Sequence, residues 1–250
     1  MTETPEKQRL DVALMARGLV VSRARAKDII RRGEVTVDGQ IAHKSAITVT
    51  AASRIVLAPG AGDYISRGAL KLAPALDRFA FDPAGRIGLD IGASTGGFTE
   101  VLLQRGATQV YAVDNGRDQL HASLRLDPRV VSLEDTDARR LTRDMVPVAF
   151  GALVADVSFI SLRKVLPVPL RLAAKGCWLV GLIKPQFEAE PSWIPKDGVV
   201  TDADIHADVV DEVVTWLASV PDWKVIGTME SPIKGGDGNT EFLIGARHVG

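Results

Sequence analysis

A glycine-rich turn in the middle of the chain has the residue types that suit binding of a nucleotide-like cofactor. The apolar run 87–91 leads into a turn that contains Gly92, Ser94, Gly96 and Gly97. Glycine lets a backbone turn sharply and approach a ligand closely, and a helix beginning near Gly96 would direct its free N–H groups at that ligand. The turn is therefore a candidate cofactor site.

Acidic residues accompany this run and the next one. Asp90 lies within the first run, and Asp114 ends the run 110–113. A carboxylate at the end of the second strand of such a unit suits ribose hydroxyls, which predicts an adenosine-containing cofactor. The spacing from Gly92 to Gly96 differs from the GxGxxG pattern of dinucleotide sites, and it favours S-adenosylmethionine over NAD.

A third acid is a candidate contact for the adenine ring. Asp137 follows the third predicted strand and could accept a hydrogen bond from the adenine amino group. Asp137 fits a helix N-cap nearly as well, and Asp135 competes with it for the same role. Asp137 and Asp135 therefore both remain candidates for the adenine contact, and a helix N-cap is the alternative role of Asp137.

A lysine leaves an apolar strand in an unusual setting. Lys184 follows the run 178–183 and precedes Pro185. Burial could lower the pKa of Lys184 enough for it to act as a base, or its long side chain could extend to solvent. Asp156 ends the preceding strand, beside the expected cofactor, and Glu241 begins the last strand.

Alternating strand and helix patterns would position these residues. Strands are predicted near residues 87–91, 109–113, 130–133, 152–155, 178–183, 224–229 and 241–246, and helices near 97–104, 117–125, 158–173 and 203–218. A helix capped by Ser66 and running to about Phe79 precedes them. This order predicts an α/β fold with a doubly wound, mostly parallel sheet of seven strands, closed by an antiparallel hairpin. Class I (Rossmann-like) methyltransferases have such a sheet.

The N-terminal part of the chain is small, α+β and basic. Two short helices, the second capped by Ser22, precede a hairpin at Asp38-Gly39. Residues 1–75 carry 12 Lys and Arg against 7 Asp and Glu, a net charge of +5, which leaves 18 against 24, or −6, for the remainder. A basic N-terminal segment followed by an acidic remainder suggests that the segment contacts a polyanion. Chance variation of surface charge is the alternative explanation of this difference in net charge.

Several classes of protein are disfavoured by the sequence. Cys177 is the only cysteine, so no intrachain disulfide is expected, which fits a reducing, cytoplasmic location. The N-terminus lacks the apolar run of a signal peptide, and the most apolar window, 166–183, contains Arg171 and Lys175. The four histidines and the cysteine lack metal-ligand spacing. We therefore expect neither membrane insertion nor a metal site.

Residues 9–57 resemble the S-four (alpha-L) RNA-binding domain. The resemblance rests on Arg9-Leu10-Asp11, Gly18-Leu19, Ser22-Arg23, Ala26, Ile30, Gly33 and Val35-x-Val37-Asp38-Gly39. It implies that the second helix faces structured RNA and contacts phosphates. The implied RNA-binding residues are Arg9, Arg23, Arg25, Lys27 and Arg31, and Arg67 is added from the motif that follows. A solvated helix face is the alternative for about half of these cations.

Nearly the whole chain resembles the TlyA family. The shared motifs are Ser66-Arg67-Gly68-x-Leu70-Lys71-Leu72, residues 89–98, Tyr111-Ala112-Val113-Asp114, Asp156-x-Ser158-Phe159-Ile160-Ser161-Leu162, Lys184-Pro185-Gln186-Phe187-Glu188, Ser231-Pro232-Ile233-Lys234-Gly235 and Gly238-Asn239-x-Glu241-Phe242-Leu243. Members of that family are S-adenosylmethionine-dependent ribosomal RNA 2′-O-methyltransferases, often also labelled hemolysins. The resemblance implies a cytidine target in ribosomal subunits.

The catalytic domain is similar to that of FtsJ-type ribose methyltransferases, which implies a tetrad of Lys71, Asp156, Lys184 and Glu241. A ribose 2′-hydroxyl is a weak nucleophile that must be aligned with the methyl group and must lose a proton. Lys184 could accept that proton if like-charge repulsion from Lys71 keeps it neutral, but neighbouring carboxylates oppose this. Lys184 could instead orient the hydroxyl, with alignment supplying most of the acceleration.

The resemblance implies a domain organisation and leaves two other functions to consider. The expected parts are an RNA-binding domain at 1–60, a linker at 61–65 and a methyltransferase domain at 66–250. Ala69, Asp137 and the linker sequence depart from the family pattern, which weakens the adenine assignment and any linker-based control. The alternatives are a non-catalytic ribosome-binding or assembly factor and a membrane-acting hemolysin, and no amphipathic stripe supports the latter.

Overall fold

The computed structural model describes residues 7–20, 22–58, 61 and 64–250, with the side chain of Ala24 excepted. The chain divides into two compact units, one ending at Arg67 and the other spanning Gly68–Gly250. The predicted linker at 61–65 contains Gly62 and Asp63, which lie outside the described residues. The predicted domain limits stay a prediction.

The first unit packs two helices against short antiparallel strands. Its elements are β1 (Gln8–Arg9), α1 (Leu10–Ala16), α2 (Arg23–Arg31), β2 (Val35–Val37), β3 (Gln40–Ile41), β4 (Thr48–Val49) and β5 (Ile55–Leu57). The Ser22 hydroxyl caps α2 as predicted, accepting a hydrogen bond of 3.1 Å from the Arg25 N–H. Asp38 and Gly39 both have positive φ, as a two-residue hairpin turn requires. Leu10, Leu14 and Ile29 are fully buried in the core.

The second unit alternates strands and helices. Its elements are α3 (Ala69–Phe79), β6 (Ile87–Ile91), α4 (Gly97–Gln104), β7 (Gln109–Val113), α5 (Ala122–Arg125), β8 (Val130–Leu133), β9 (Ala152–Ala155), α6 (Leu162–Val165), α7 (Pro167–Leu172), β10 (Trp178–Ile183), α8 (Pro185–Glu188), α9 (Ala203–Ser219), β11 (Trp223–Glu230) and β12 (Phe242–His248).

These strands form one seven-stranded sheet in the order β11-β12-β10-β9-β6-β7-β8. β12 runs antiparallel to both of its neighbours, and the other pairs in the sheet are parallel. The predicted fold class is thus confirmed. β9 and β10 are buried along their whole length, because helices cover both faces of a parallel sheet. Successive strands are added on one side of β6 as far as β8 and on its other side from β9 onward, and ligands bind at such a switch point in open sheets of this kind.

Three predicted helices are shorter in the structure. The region predicted as a helix at 117–125 is helical only over Ala122–Arg125, because the Glu134 carboxylate binds the backbone N–H groups of Gln119 and Leu120 before it. The helix predicted at 158–173 becomes α6 and α7, preceded by a loop in which Phe159 has φ +64°. The helix predicted from Ser66 begins at Ala69, with Gly68 as its N-cap. Lys71 therefore lies in its first turn.

Among the described residues, no helix has the length and apolar character needed to cross a membrane. Within the same residues, no three His, Cys, Asp or Glu side chains group together as metal ligands would.

Candidate active site

Three of the four predicted catalytic residues lie at one edge of the sheet. Asp156 follows β9 and Lys184 follows β10, which runs parallel to it. Glu241 precedes β12, which is antiparallel, and Ile183 pairs with Phe242 across that ladder. Lys184 and Glu241 thus occupy neighbouring positions on adjacent strands. The fourth residue, Lys71, reaches this edge from α3.

The four residues form two lysine–carboxylate pairs. Lys71 Nζ lies 2.6 Å from Glu241 Oε2, and Lys184 Nζ lies 2.6 Å from Asp156 Oδ1. Both lysine side chains are about 10% exposed. A charge so far removed from water needs a close partner, and each lysine has one. The four charges sum to zero, so the cluster can remain charged while nearly buried.

A serine completes the surroundings of Lys184. Its Nζ donates a hydrogen bond of 2.9 Å to Ser158 Oγ, in addition to its contact with Asp156. An ammonium group has three N–H donors, so one is left for a substrate oxygen. Sequence reasoning assigned no role to Ser158, although its position two residues after Asp156 was the available signal.

The glycine turn is shaped by close backbone packing. Gly92 has φ +78°, and a Cβ there would lie 2.3 Å from the carbonyl oxygen of Asp156. Gly96 has φ +97° at the N-cap of α4, and a Cβ there would lie 2.2 Å from Leu124. The positive φ favours glycine at both positions, and at Gly92 the backbone oxygen also leaves no room for a side chain. Gly97 is the buried first residue of α4.

A cavity of about 580 Å³ opens beside the tetrad. Its lining includes six residues singled out above: Gly92, Ser94, Asp114, Asp137, Asp156 and Ser158. Asp114 fixes the turn because its carboxylate accepts hydrogen bonds from the N–H of Ser94, at 2.8 Å, and from that of Gly116, at 2.6 Å. The cavity has the size and the mixed polar and apolar lining of a small-molecule site.

Asp90 lies beneath this cavity, outside its lining. The side chain is fully buried, and Oδ2 accepts a hydrogen bond of 2.7 Å from Thr99 Oγ on α4. Oδ1 has no hydrogen-bond partner among the described residues. Burial raises the pKa of Asp90 to about 7, opposed by the Thr99 hydrogen bond and assisted by the nearby charge of Asp156. Gly96 and Gly97 are also outside the lining residues.

The two candidates for the adenine contact differ in position. Asp137 lines the cavity and caps a 3-10 turn by accepting from the Arg139 N–H at 2.9 Å. Hydrogen bonding to the Arg139 side chain lowers the pKa of Asp137. Asp135 pairs with Arg117 at 2.6 Å and faces solvent. Asp137 therefore has the capping role considered for it and also a place at the cavity wall.

Phe159 is an exposed aromatic residue beside the tetrad. Its side chain lines the cavity and is 89% exposed, and its ring centroid lies 5.1 Å from that of Phe187. Phe159 belongs to one of the motifs shared with the TlyA family, and no role was predicted for it from the sequence. Positive φ at a bulky residue and so large an exposure of its ring are both uncommon.

The predicted RNA-binding residues of the first unit are of two kinds. Arg9 and Arg23 are about half exposed, and both bind the buried carboxylate of Asp11, at 2.9 and 2.8 Å. The hydrogen bond from Arg9 is the main reason that the pKa of Asp11 falls to about 2. Lys27 and Arg31 are also exposed.

The other two predicted RNA-binding residues are less accessible. Arg25 donates a hydrogen bond of 2.9 Å to the carbonyl oxygen of Tyr64, and its side chain is 24% exposed. Arg67 is half-buried at the end of the first unit. Of the six predicted RNA-binding residues, the four exposed to solvent are therefore Arg9, Arg23, Lys27 and Arg31.

The fold defines a class I methyltransferase domain that follows a small α+β domain. The chain matches the FtsJ-like methyltransferase family over residues 64–248 and the S4 domain over residues 8–55. It belongs to the TlyA family of that class, as the resemblance implied. The 16S/23S rRNA (cytidine-2'-O)-methyltransferase TlyA of Mycobacterium tuberculosis is 44% identical over 96% of this chain and 90% of its own length.

Two further relatives extend the comparison. Hemolysin A of Brachyspira hyodysenteriae is 38% identical over 94% of this chain and 98% of its own. The solved structure of a Streptococcus thermophilus protein has a TM-score of 0.74 at 38% identity, over 98% of this chain and 90% of that one. The chain is thus an enzyme of the methyltransferase class, and the hemolysin name occurs within the same family.

Proposed function

We propose that this enzyme transfers the methyl group of S-adenosylmethionine to the 2′-hydroxyl of a cytidine in ribosomal RNA. The observation that carries the proposal is the pair of lysine–carboxylate contacts beside the cavity, with Lys184 Nζ 2.6 Å from Asp156 and Lys71 Nζ 2.6 Å from Glu241. The name of the 44% identical relative from Mycobacterium tuberculosis supports the RNA class, the nucleoside and the hydroxyl. An rRNA substrate also supports a cytoplasmic location.

The lining of the cavity fits the proposed cofactor. Its volume is about 580 Å³, and the carboxylate of Asp114 keeps acceptor capacity for ribose hydroxyls beyond its two backbone hydrogen bonds. Asp137 and the apolar side chains of Val113 and Ile160 offer a surface for the adenine ring. When bound there, S-adenosylmethionine would supply the electrophilic methyl group, and Asp156 is among the residues that would line its site.

Lys184 is the residue that we assign to the reacting hydroxyl. Two of its N–H donors go to Asp156 and Ser158, and the third can donate to the 2′-oxygen and fix the direction of its lone pairs. The carboxylate of Asp156 can take up the proton that this oxygen loses as the new C–O bond forms. Lys71, held by Glu241, can contact the adjacent phosphate. Such alignment can account for roughly 7–11 kcal/mol of barrier lowering.

The first unit supplies affinity for the RNA. Arg9, Arg23, Lys27 and Arg31 are exposed cations on a domain that matches the S4 family. Contacts with phosphates position an enzyme on structured RNA without reading its bases. Ribosomal subunits are the proposed partner because they contain the rRNA in folded form.

The test is transfer of labelled methyl groups from S-adenosylmethionine to purified ribosomal subunits, followed by mapping of the modified nucleotide. We expect Lys184→Ala to abolish transfer while cofactor binding, measured by calorimetry, persists. Lys164→Ala removes an exposed lysine near the site and is the matched control. Wild-type activity in Lys184→Ala would remove the proposed role of that residue. Cofactor binding without transfer to any ribosomal particle would instead favour a non-catalytic assembly factor.

A further inference from the structure

The loop between Asp156 and α6 is held at both ends by the segment that follows β10. Ser158 accepts a hydrogen bond from Lys184 Nζ at 2.9 Å. Ser161 donates one to the side chain of Glu188. Lys184 and Glu188 stand four residues apart, at the N-cap and the last residue of α8. That spacing brings two side chains to one face of a helical turn, so both can reach the same loop.

Glu188 is the buried partner in this arrangement. Its side chain is 2% exposed, and its second oxygen accepts a hydrogen bond of 2.6 Å from the Leu162 N–H at the start of α6. Burial raises the pKa of Glu188, opposed first by the Ser161 hydrogen bond. A carboxylate is costly to bury unless its hydrogen bonds are satisfied, and both of its oxygens are satisfied by the loop and α6.

Ser161 connects Glu188 to the end of the loop. Its hydroxyl donates to Glu188 and accepts a hydrogen bond of 3.1 Å from the Arg163 N–H, which makes it the N-cap of α6. The carboxylate thus fixes the direction of the capping oxygen. Arg163 adds a hydrogen bond of 3.1 Å to the backbone carbonyl of Glu188. The end of the loop is therefore attached to α8 through side chain and backbone.

We infer that Glu188 is a positioning residue for methyl transfer. Through Ser161 it holds the loop in the conformation that presents Ser158 to Lys184. The inference rests on the proposed function, because it assigns Glu188 to the alignment of Lys184 in that reaction. Glu188 acts through Ser161 and Ser158 and does not itself contact substrate or cofactor.

The substitution Glu188→Gln preserves size and removes the carboxylate charge, which also faces Arg163 Nε at 3.5 Å. An amide oxygen can still accept from the Leu162 N–H, but the amide nitrogen can only donate to Ser161 Oγ, so the hydrogen bond from the Ser161 hydroxyl to a carboxylate is lost. Ser161→Ala removes the same contact from the other side and serves as a second variant if Glu188→Gln does not fold. Glu212→Gln is the matched control, since Glu212 also binds Arg163, at 2.9 Å, and is 45% exposed.

We expect Glu188→Gln to lower kcat about tenfold or more, while KM for ribosomal subunits and the Kd for S-adenosylmethionine stay within about twofold. Ser161→Ala should do the same, and the double variant should be no slower than either single one, because both remove one contact. A structural defect alone would not produce this division between kcat and KM. Wild-type kcat in both single variants, or multiplied losses in the double variant, would overturn the inference.

A measurement that needs no activity separates this inference from the proposed function. Hydrogen exchange of the loop amides at 158–161 should accelerate in Glu188→Gln and Ser161→Ala, and not in Glu212→Gln. Unchanged exchange would overturn the inference even in an active enzyme. Failure of the wild-type protein to methylate any ribosomal particle would overturn the proposed function, whereas the exchange result would still decide whether Glu188 holds the loop.

Discussion

Lys184 Nζ lies 2.6 Å from Asp156 Oδ1 across the ends of two neighbouring parallel strands. The second lysine of the site, Lys71, has its own carboxylate at the same distance, from Glu241. Each positive charge is therefore compensated locally, which weakens the repulsion between lysines considered from the sequence. The arrangement favours an oriented, hydrogen-bonded Lys184 over one kept neutral by Lys71.

The space around Glu241 gives a first prediction. A Cβ at Gly235 would lie 2.6 Å from Glu241 Oε1, and the φ of Gly235 is not in the left-handed region. Gly235→Ala should therefore displace the carboxylate from Lys71 with little backbone strain. We expect kcat to fall about tenfold to a hundredfold with a small change in Tm. The kcat is measured by methyl transfer and the Tm by thermal unfolding.

Gly236→Ala is the control for this change. A Cβ at Gly236 meets nothing within 4 Å, and its φ is likewise outside the left-handed region. It should behave as wild type. Equal activity in Gly235→Ala and Gly236→Ala would mean that the Lys71–Glu241 contact does not matter for transfer.

The buried carboxylate of Asp90 predicts a dependence of stability on pH. Burial raises the pKa of Asp90 from 3.8 to about 7. The folded state therefore holds this proton more tightly than the unfolded state, and the free energy of unfolding falls as pH rises from about 4 to 7. Asp90→Asn removes this contribution. Relative to wild type, we expect it to gain on the order of 1–4 kcal/mol of stability between pH 5 and pH 8.

Urea unfolding of both proteins at the two pH values measures this difference. Asp77→Asn is a suitable control because pairing with Arg105 lowers the pKa of Asp77, so Asp77 remains ionised across this window in both states. Parallel pH curves for wild type and Asp90→Asn would contradict the prediction.

The exposed arginines of the first unit predict the salt dependence of RNA binding. Arg9→Ala and Arg23→Ala should each weaken binding to ribosomal subunits and reduce the slope of log affinity against log salt by about 0.7–0.9. The physical reason is that each phosphate contact releases condensed counterions. Lys224→Ala, an exposed cation on β11, should leave the slope unchanged. If all three variants share the wild-type slope, Arg9 and Arg23 do not contact phosphates.

The strand ends at the site could be predicted from sequence because apolar runs alternate with helical patterns. Asp156, Lys184 and Glu241 each flank such a run, so sheet topology alone brings them to one edge. The pairing of Lys71 with Glu241 was not predictable, since it depends on the approach of α3 in three dimensions. The loop before α5 was misread as helix because Glu134, distant in sequence, binds its N–H groups.

Phe159 gives the last prediction, which concerns the substrate. Its ring is 89% exposed beside the cavity, and the loop holds it there at φ +64°. An exposed aromatic face next to a site for RNA can stack on an unpaired base, a contact that contributes roughly 1–3 kcal/mol. Phe159→Ala should therefore raise KM for ribosomal subunits by about 5- to 150-fold. The Kd for S-adenosylmethionine should change little, because the proposed stacking uses the solvent-exposed face of the Phe159 ring and involves the RNA base, not the cofactor.

Leu126→Ala provides the comparison for Phe159→Ala. Leu126 is 83% exposed and is not among the residues that line the cavity. Its truncation should leave both constants unchanged. Phe159→Trp keeps an aromatic ring at this position. Because an indole ring also stacks on a base, this variant should retain most of the wild-type affinity for ribosomal subunits. If Phe159→Ala keeps the wild-type KM, or if Phe159→Trp loses as much affinity as Phe159→Ala, the exposed ring is not a stacking surface for RNA.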